Sequence, residues 1–172
     1  MRRVIALAAA LATLALIPAA ASAATPVPDR IQPPAGHVPY LTAHAIGVQV
    51  YTCATTADGP KWQFVEPKAV LYGDRGEFLG THYAGPTWET KDGSRVKGAR
   101  VDGVTVDPTA IPWLLLKATP LDSGRLGQTT YIQRLATRGG LEPAASKCIA
   151  RTVGQERWIP YTADYRFFKE QS

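Results

Sequence analysis

The chain has 172 residues, of which 45% are hydrophobic and 19% are charged. These proportions are typical of one folded domain of ordinary size and exclude a disordered chain. Lysine and arginine number 19 against 14 acidic residues, which gives a net charge of +5. The basic residues are scattered and form no clustered stripe, so the charge does not predict nucleic-acid binding.

The first 23 residues are typical of a secretory signal peptide. Arg2 and Arg3 precede an apolar run from Val4 to Ile17, and Ala21-Ser22-Ala23 offers small residues for cleavage after Ala23. The alternative is a membrane anchor, but the apolar run is shorter than the roughly 20 residues that a spanning helix needs. We therefore expect a secreted or periplasmic protein with no membrane span in its mature part. Its net charge after cleavage is +3, because only two arginines leave.

Residues 24–40 are predicted to form an extended arm. Prolines make up five of these 17 residues, and such a density precludes a regular helix or a central strand. The composition then changes, and residues 41–172 are predicted to form the folded domain. The five prolines are Pro26, Pro28, Pro33, Pro34 and Pro39.

Short runs of β-forming residues follow one another through the rest of the chain. Three Asp-Gly pairs, at residues 58–59, 92–93 and 102–103, are typical of hairpin turns. No amphipathic stretch reaches helical length, so we predict an all-β sandwich or barrel of about ten short antiparallel strands. The runs cover residues 46–51, 62–65, 68–72, 77–83, 87–90, 95–101, 104–106, 111–119, 129–137, 148–153 and 158–168.

The last run alternates strictly, which predicts a core face and a wet or ligand-facing side. The core face is predicted to carry Tyr161, Ala163, Tyr165 and Phe167, and the other side Thr162, Asp164, Arg166 and Phe168.

The two cysteines, Cys53 and Cys148, are predicted to form one disulfide, since an even pair is normally oxidised in a secreted protein. The alternative is a catalytic thiol, which needs a nearby base and a reducing compartment.

The densest cluster of polar and aromatic residues lies between residues 82 and 94. His82 titrates near neutral pH when unperturbed, and Glu89 or Asp92 could orient it or act as an acid or base. Tyr83 and Trp88 could stack on a sugar or another planar ligand. The alternative is that Trp88 belongs to the core and the polar residues belong to turns.

A charged residue, Arg134, interrupts the apolar run from Tyr131 to Leu135. An arginine in such a strand predicts a carboxylate partner, for which Glu89, Asp92 and Asp164 are candidates. The alternative is an arginine on an exposed edge strand.

Several classes of site are not supported by any motif. The three histidines and two cysteines lack zinc-ligand spacing, so no metal is expected. The chain has no G-x-S-x-G elbow and no glycine-rich phosphate loop before a helix. We therefore expect no cofactor.

A series of motifs resembles one secreted family of bacteria and fungi, the domain of unknown function 3455. The resemblance covers roughly residues 36–168 and implies no catalytic roles, because that family has no established activity. Some fungal relatives carry a malate dehydrogenase label, which does not transfer to a chain without a dinucleotide fingerprint. The resemblance includes the cluster at residues 82–94 and the Gln133-Arg134 pair, which favours a pocket there. The motifs are residues 49–53, Trp62 with 67–71, 80–89, 92–94, 111–116, 131–134 with Thr137 and 139–140, Cys148, and 161–165 with Phe167.

Three functions remain open from the sequence. The first is binding of a small molecule or glycan by His82, Tyr83, Trp88, Glu89, Asp92, Arg134 and Asp164. The second is a hydrolase that uses His82 with Glu89 or Asp92. The third is a structural or stress-related envelope protein in which the same cluster only packs.

Overall fold

A computed structural model describes residues 25–171, and the predicted signal peptide lies outside this part of the chain. The described residues form one closed antiparallel barrel, in which each strand pairs with the next along the chain and the last pairs with the first. This architecture confirms the all-β prediction. The strands are β1 (His37–Thr56), β2 (Gly59–Tyr72), β3 (Phe78–Tyr83), β4 (Thr87–Thr90), β5 (Arg95–Val104), β6 (Trp113–Pro120), β7 (Tyr131–Gly139) and β8 (Glu156–Glu170).

The described residues contain eight strands instead of about ten, because three sequence signals were misinterpreted. Pro67 does not end a strand, since it lies in a stretch of β2 that pairs with β1 but not with β3, whose pairing begins at Ala69. Asp102-Gly103 is not a turn and follows a bulge within β5. Residues 148–153 contain the short 3-10 helix Ala150–Thr152 instead of a strand.

The barrel is closed by the pairing of β1 with β8. The ladder runs from His37 opposite Glu170 to Thr52 opposite Glu156, with one bulge near Pro39. This bulge is where a proline is tolerated, and it lets β1 begin at His37, within the proline-rich range. The closed ring leaves no strand as a free edge along its full length.

Alternating residues of each strand face the interior, and one end of the barrel is filled by them. Leu71, Leu79, Val96 and Phe167 pack there, and Leu126 from the β6–β7 connection joins the same cluster. The predicted core face of the last strand is confirmed, because Tyr161, Ala163, Tyr165 and Phe167 are all buried. Phe168 on the other side is buried as well.

The N-terminal segment covers part of the outer surface of β6 and β7. Its 3-10 helix, Asp29–Ile31, places Ile31 in a fully buried cluster with Trp113, Leu115 and Leu135. The Gln133 amide nitrogen donates to the Ile31 carbonyl oxygen at 2.7 Å. The segment thus shields outward-facing apolar side chains that the barrel itself leaves uncovered.

The predicted disulfide between Cys53 and Cys148 is confirmed, and it links β1 to the β7–β8 connection. Tyr51 and Trp62 pack around the bridge. A disulfide is compatible with an oxidising compartment. No helix within residues 25–171 is long and apolar enough to cross a membrane.

Removing the disulfide is expected to destabilise the protein by about 3–5 kcal/mol, because the bridge closes a long loop in the unfolded chain. Its cysteines are 95 residues apart. Urea unfolding of the Cys53→Ser/Cys148→Ser double variant measures this change. Wild-type protein unfolded under reducing conditions serves as the matched control and should give the same stability. Equal stability of the oxidised wild type and the double variant would contradict the prediction.

Candidate functional site

A cavity of about 490 Å³ lies in the barrel interior beyond the packed end, and part of its wall is formed by the core residues Trp88, Leu114, Leu116 and Tyr165. All eight strands contribute to its wall, so the cavity is the unfilled part of the barrel interior. An eight-stranded barrel is just wide enough for side chains or one small ligand. Space for a ligand therefore depends on small or short side chains at inward positions of this end.

The cavity opens beside the shortest hairpin of the barrel. Strands β3 and β4 have six and four residues, whereas the flanking strands β2 and β5 have 14 and ten. The exposed residues of the lining all come from this side. They are Phe64 and Val65 on β2, Gly85 and Pro86 in the β3–β4 turn, and Ala99 and Arg100 on β5.

Two of the predicted site residues, His82 and Trp88, stack on each other in the cavity wall. They lie opposite each other on β3 and β4, with ring centroids 4.2 Å apart and planes 11° from parallel. The edge of Tyr165 contacts both rings, with centroid distances of 5.0 and 5.1 Å. Gly98 allows this packing, because a Cβ atom there would lie 2.9 Å from the Trp88 ring.

His82 is buried and neutral. Its Nδ1 lies 2.8 Å from the Thr87 carbonyl oxygen, which can only accept, so Nδ1 carries the proton and Nε2 is left as an acceptor. Burial is the main cause that lowers the pKa of His82 to about 3, and the positive charge of Arg134 lowers it further. A histidine with this pKa is a weak general base at neutral pH.

Two buried donors in the cavity wall lack a hydrogen-bond partner within residues 25–171. They are the Gln49 amide nitrogen and the Trp88 indole nitrogen. Both side chains line the cavity, and they are 3% and 1% exposed. Buried polar groups are rarely left unpaired, and each such group costs about 1–3 kcal/mol of stability.

Arg134 also lines the cavity, and its predicted carboxylate partner is absent. It lies opposite Leu114 on β6 and Tyr165 on β8, and its Nε and Nη2 donate to the Pro112 carbonyl oxygen at 3.1 and 2.9 Å. No carboxylate of the described chain forms an ion pair with Arg134, because the candidate carboxylates face outward or lie in a turn.

Tyr83, Glu89 and Asp92 lie outside the cavity. The Tyr83 hydroxyl donates to Glu89 Oε2 at 2.7 Å on the outer surface, and this hydrogen bond is the main cause that raises the pKa of Tyr83. Asp92 lies in the β4–β5 turn and accepts from the Thr90 hydroxyl at 2.5 Å, which lowers the pKa of Asp92. None of these three residues therefore joins His82 in the lining of this cavity.

Asp164 is on the outer surface as well, in a separate cluster. His44 Nδ1 contacts Asp164 at 2.7 Å and His44 Nε2 contacts Asp74 at 3.0 Å. The hydrogen bond to Asp164 is the largest cause that raises the pKa of His44, followed by the one to Asp74. Of the predicted site residues, the structure thus brings together only His82, Trp88 and Arg134.

The sequence interpretation missed Gln49 and Arg100, which complete the polar lining. A usable signal existed for Gln49, because it is two residues from Gly47 and four from Ala45, and alternating residues of a strand share a face. The more apolar residue Ile46 faces outward and is 60% exposed, so apolar character alone would have assigned the wrong face of this strand to the interior.

These features of residues 25–171 define an up-and-down antiparallel barrel with an interior cavity, whose lining residues include two with unpaired donors. Residues 34–169 match the family model described as "Protein of unknown function (DUF3455)", so the chain belongs to this family. The match confirms the resemblance found in the sequence. No curated protein and no solved structure matches the chain.

The burial of His82 predicts a loss of stability in mild acid. In the unfolded chain the histidine takes up a proton near its ordinary pKa of 6.5, but in the folded protein it does so only near 3. The unfolded state is therefore favoured as pH falls below 6.5, by up to about 1.4 kcal/mol per pH unit. Urea unfolding between pH 6.5 and pH 5 measures this slope, and His82→Gln should abolish it.

His44→Gln is the matched control for this slope. Because the pKa of His44 is raised in the folded protein, its contribution to the free energy of unfolding is complete below pH 6.5. That contribution is lost as pH rises above 6.5. The slope between pH 6.5 and pH 5 should therefore be the same in His44→Gln as in the wild type. An unchanged slope in His82→Gln would contradict the assignment.

Proposed function

We propose that the protein binds one small molecule inside its barrel. The observation that carries this proposal is the pair of unpartnered donors, Gln49 Nε2 and Trp88 Nε1, in the wall of an open cavity. A protein that used these side chains only for packing would gain stability from apolar residues of similar shape. Each donor atom is buried from solvent in the ligand-free protein, so a ligand that accepts hydrogen bonds would pair with them after a small rotation of the two side chains.

The cavity has the size and lining that small-molecule sites have in other proteins. Its volume of about 490 Å³ lies within the usual range of about 300–1,000 Å³. Phe64, Val65, Pro67, Leu114 and Leu116 supply an apolar surface, against which the few polar groups set orientation. The ligand therefore has an apolar body and at least one acceptor oxygen.

The other two hypotheses from the sequence have less support. A hydrolase would need a base and a carboxylate near the same atoms, but His82 lines the cavity whereas Glu89 and Asp92 lie outside it. A purely structural role fits the burial of Trp88 but leaves the open cavity and its unpaired donors without a reason. The ring of Trp88 is also covered by His82 and Tyr165, which argues against stacking of a sugar on it.

The predicted export of the protein is consistent with this function. The disulfide supports an oxidising compartment, as expected for a secreted or periplasmic binding protein. The barrel interior would then take its ligand from the medium or the periplasm.

Filling the cavity is expected to block binding. Prodan, a neutral naphthyl ketone whose fluorescence reports an apolar environment, should bind the wild type in one saturable site. Leu114→Phe adds volume at the cavity wall, so it should weaken prodan binding severalfold while the protein stays as stable as the wild type. Fluorescence titration and thermal unfolding measure the two effects.

The neighbouring residue Leu115 provides the matched control. Its side chain is buried on the outer side of the same strand, under the N-terminal segment. Leu115→Phe should therefore lower stability by overpacking, by about 1–3 kcal/mol, and leave prodan affinity unchanged. Equal prodan affinities of Leu114→Phe and the wild type would contradict the proposal.

The unpaired amide of Gln49 predicts opposite effects on stability and on binding. Gln49→Met removes a buried donor without changing the shape of the side chain much, so the ligand-free protein should become more stable by about 1 kcal/mol. Prodan affinity should fall, since the ketone oxygen loses a donor. Urea unfolding and fluorescence titration measure the two quantities.

Gln63→Met is the control for this substitution, because Gln63 is exposed on β2. It should change neither quantity. A Gln49→Met variant that is less stable than the wild type and binds prodan equally well would show that the amide has a structural role only.

A further inference from the structure

We infer that the ligand is a small organic carboxylate with an apolar body, whose charged group binds Arg134 in the cavity. This inference rests on the proposed function, because it names the chemical class of the molecule that occupies the same site. It is carried by the placement of a guanidinium in a cavity wall that holds no negative charge.

The position of Arg134 allows it to meet a ligand. It follows Ile132 and Gln133 in β7 and faces inward, in one layer with Leu114 and Tyr165. Its Nε and Nη2 donate to the Pro112 carbonyl oxygen, and its side chain is also within hydrogen-bonding reach of the Tyr165 hydroxyl. A guanidinium has five N–H groups, so donor capacity remains for a ligand.

The cavity wall contains two arginines, Arg134 and Arg100, and no aspartate or glutamate. Ion pairs found within residues 25–171 include neither arginine. A cation that is partly removed from water without a counter-ion is unfavourable, and an anion that enters the site restores the balance. A neutral ligand of the same shape would leave this charge uncompensated.

The positive charge of Arg134 extends to other groups of the cavity wall. Burial is the largest cause of the lowered pKa of His82, and the charge of Arg134 lowers it further. Burial also raises the pKa of Tyr165, and the charge of Arg134 partly offsets that rise. Electrostatic interactions are strong in such a site because the surroundings are poorly polarisable. An anion in this part of the cavity would experience the same field with a favourable sign.

The remaining chemistry favours a carboxylate. A planar guanidinium binds a planar carboxylate well, and the Gln49 amide and Trp88 indole supply neutral donors for its oxygens. Lysine does not occur in the lining, and most of the wall is apolar. A single charged group on an apolar body matches this distribution of donors and hydrocarbon.

Three naphthalene derivatives that share the ring and carry an anionic, a neutral or a cationic substituent test the inference. Calorimetric titration at neutral pH compares naphthoate with the neutral alcohol naphthylmethanol and the cation naphthylmethylammonium. Naphthoate should bind about tenfold tighter than the alcohol, because a charge-assisted hydrogen bond replaces a neutral one, and the cation should bind most weakly. Added salt should weaken naphthoate binding and leave the alcohol unchanged.

Variants of Arg134 test whether this residue causes the preference for naphthoate. Arg134→Gln should lower the affinity for naphthoate to that for the alcohol, and Arg134→Lys should retain part of the difference. Arg138→Gln is the matched control, because Arg138 is exposed on the same strand and does not line the cavity. Prodan binding by each variant confirms that the barrel is folded and open.

The outcomes separate the two proposals. Equal binding of naphthoate and naphthylmethanol overturns the carboxylate inference and leaves the small-molecule function standing. Binding of prodan without binding of naphthoate has the same consequence. Failure of all four probes overturns both proposals. A preference for naphthoate that persists in Arg134→Gln shows that the anion binds elsewhere and overturns the assignment to Arg134. If Arg134→Gln does not fold, two other results together overturn the assignment. They are an unchanged preference for naphthoate in Arg134→Lys and no effect of salt on naphthoate binding by the wild type.

Discussion

The pairing of β1 with β8 is the constraint on which the rest of the structure depends. It joins His37–Thr56 to Glu156–Glu170 and converts a row of hairpins into a ring. Only a closed ring has an interior, so the burial of His82, Trp88 and Tyr165 follows from this ladder. If the ladder were open, water would reach the Gln49 amide and the Arg134 guanidinium. The lack of a hydrogen-bond partner for Gln49 and of a carboxylate for Arg134 would then not lower the stability of the protein.

The interior is divided into two ends with different physical character. At one end Leu71, Val96 and Phe167 fill the ring as in an ordinary core, which provides the stability of the barrel. At the other end, Gly98 makes room for the Trp88 ring, and polar side chains line the cavity. Unpaired buried donors lower stability, so a wall that carries them needs a well-packed region elsewhere to offset that loss.

The sequence predicted the fold class, the disulfide and the inner face of the last strand, because each depends on a local pattern or on residue type alone. It overestimated the strand count, since Pro67 and Asp102-Gly103 normally end strands and are tolerated here only where β2 and β5 lack a neighbour on one side. It grouped Glu89 and Asp92 with His82 because they are close in sequence. Strand alternation places Glu89 on the outer surface, and Asp92 lies in a turn, so neither joins His82 in the cavity lining. His82 instead contacts Tyr165, which pairs with Arg134, and this contact forms only when distant strands close the ring.

The disulfide has a consequence for the order of folding. Pairs of neighbouring strands form between residues close in sequence, whereas the last ladder joins residues as far apart as His37 and Glu170. Bringing such distant segments together carries the largest loop-closure entropy in this topology. Cys53 and Cys148 lie a few residues from one end of that ladder, so an oxidised chain begins the closing step with its two strands already tethered. Oxidation of the two cysteines before the ring closes would thus speed the formation of the cavity.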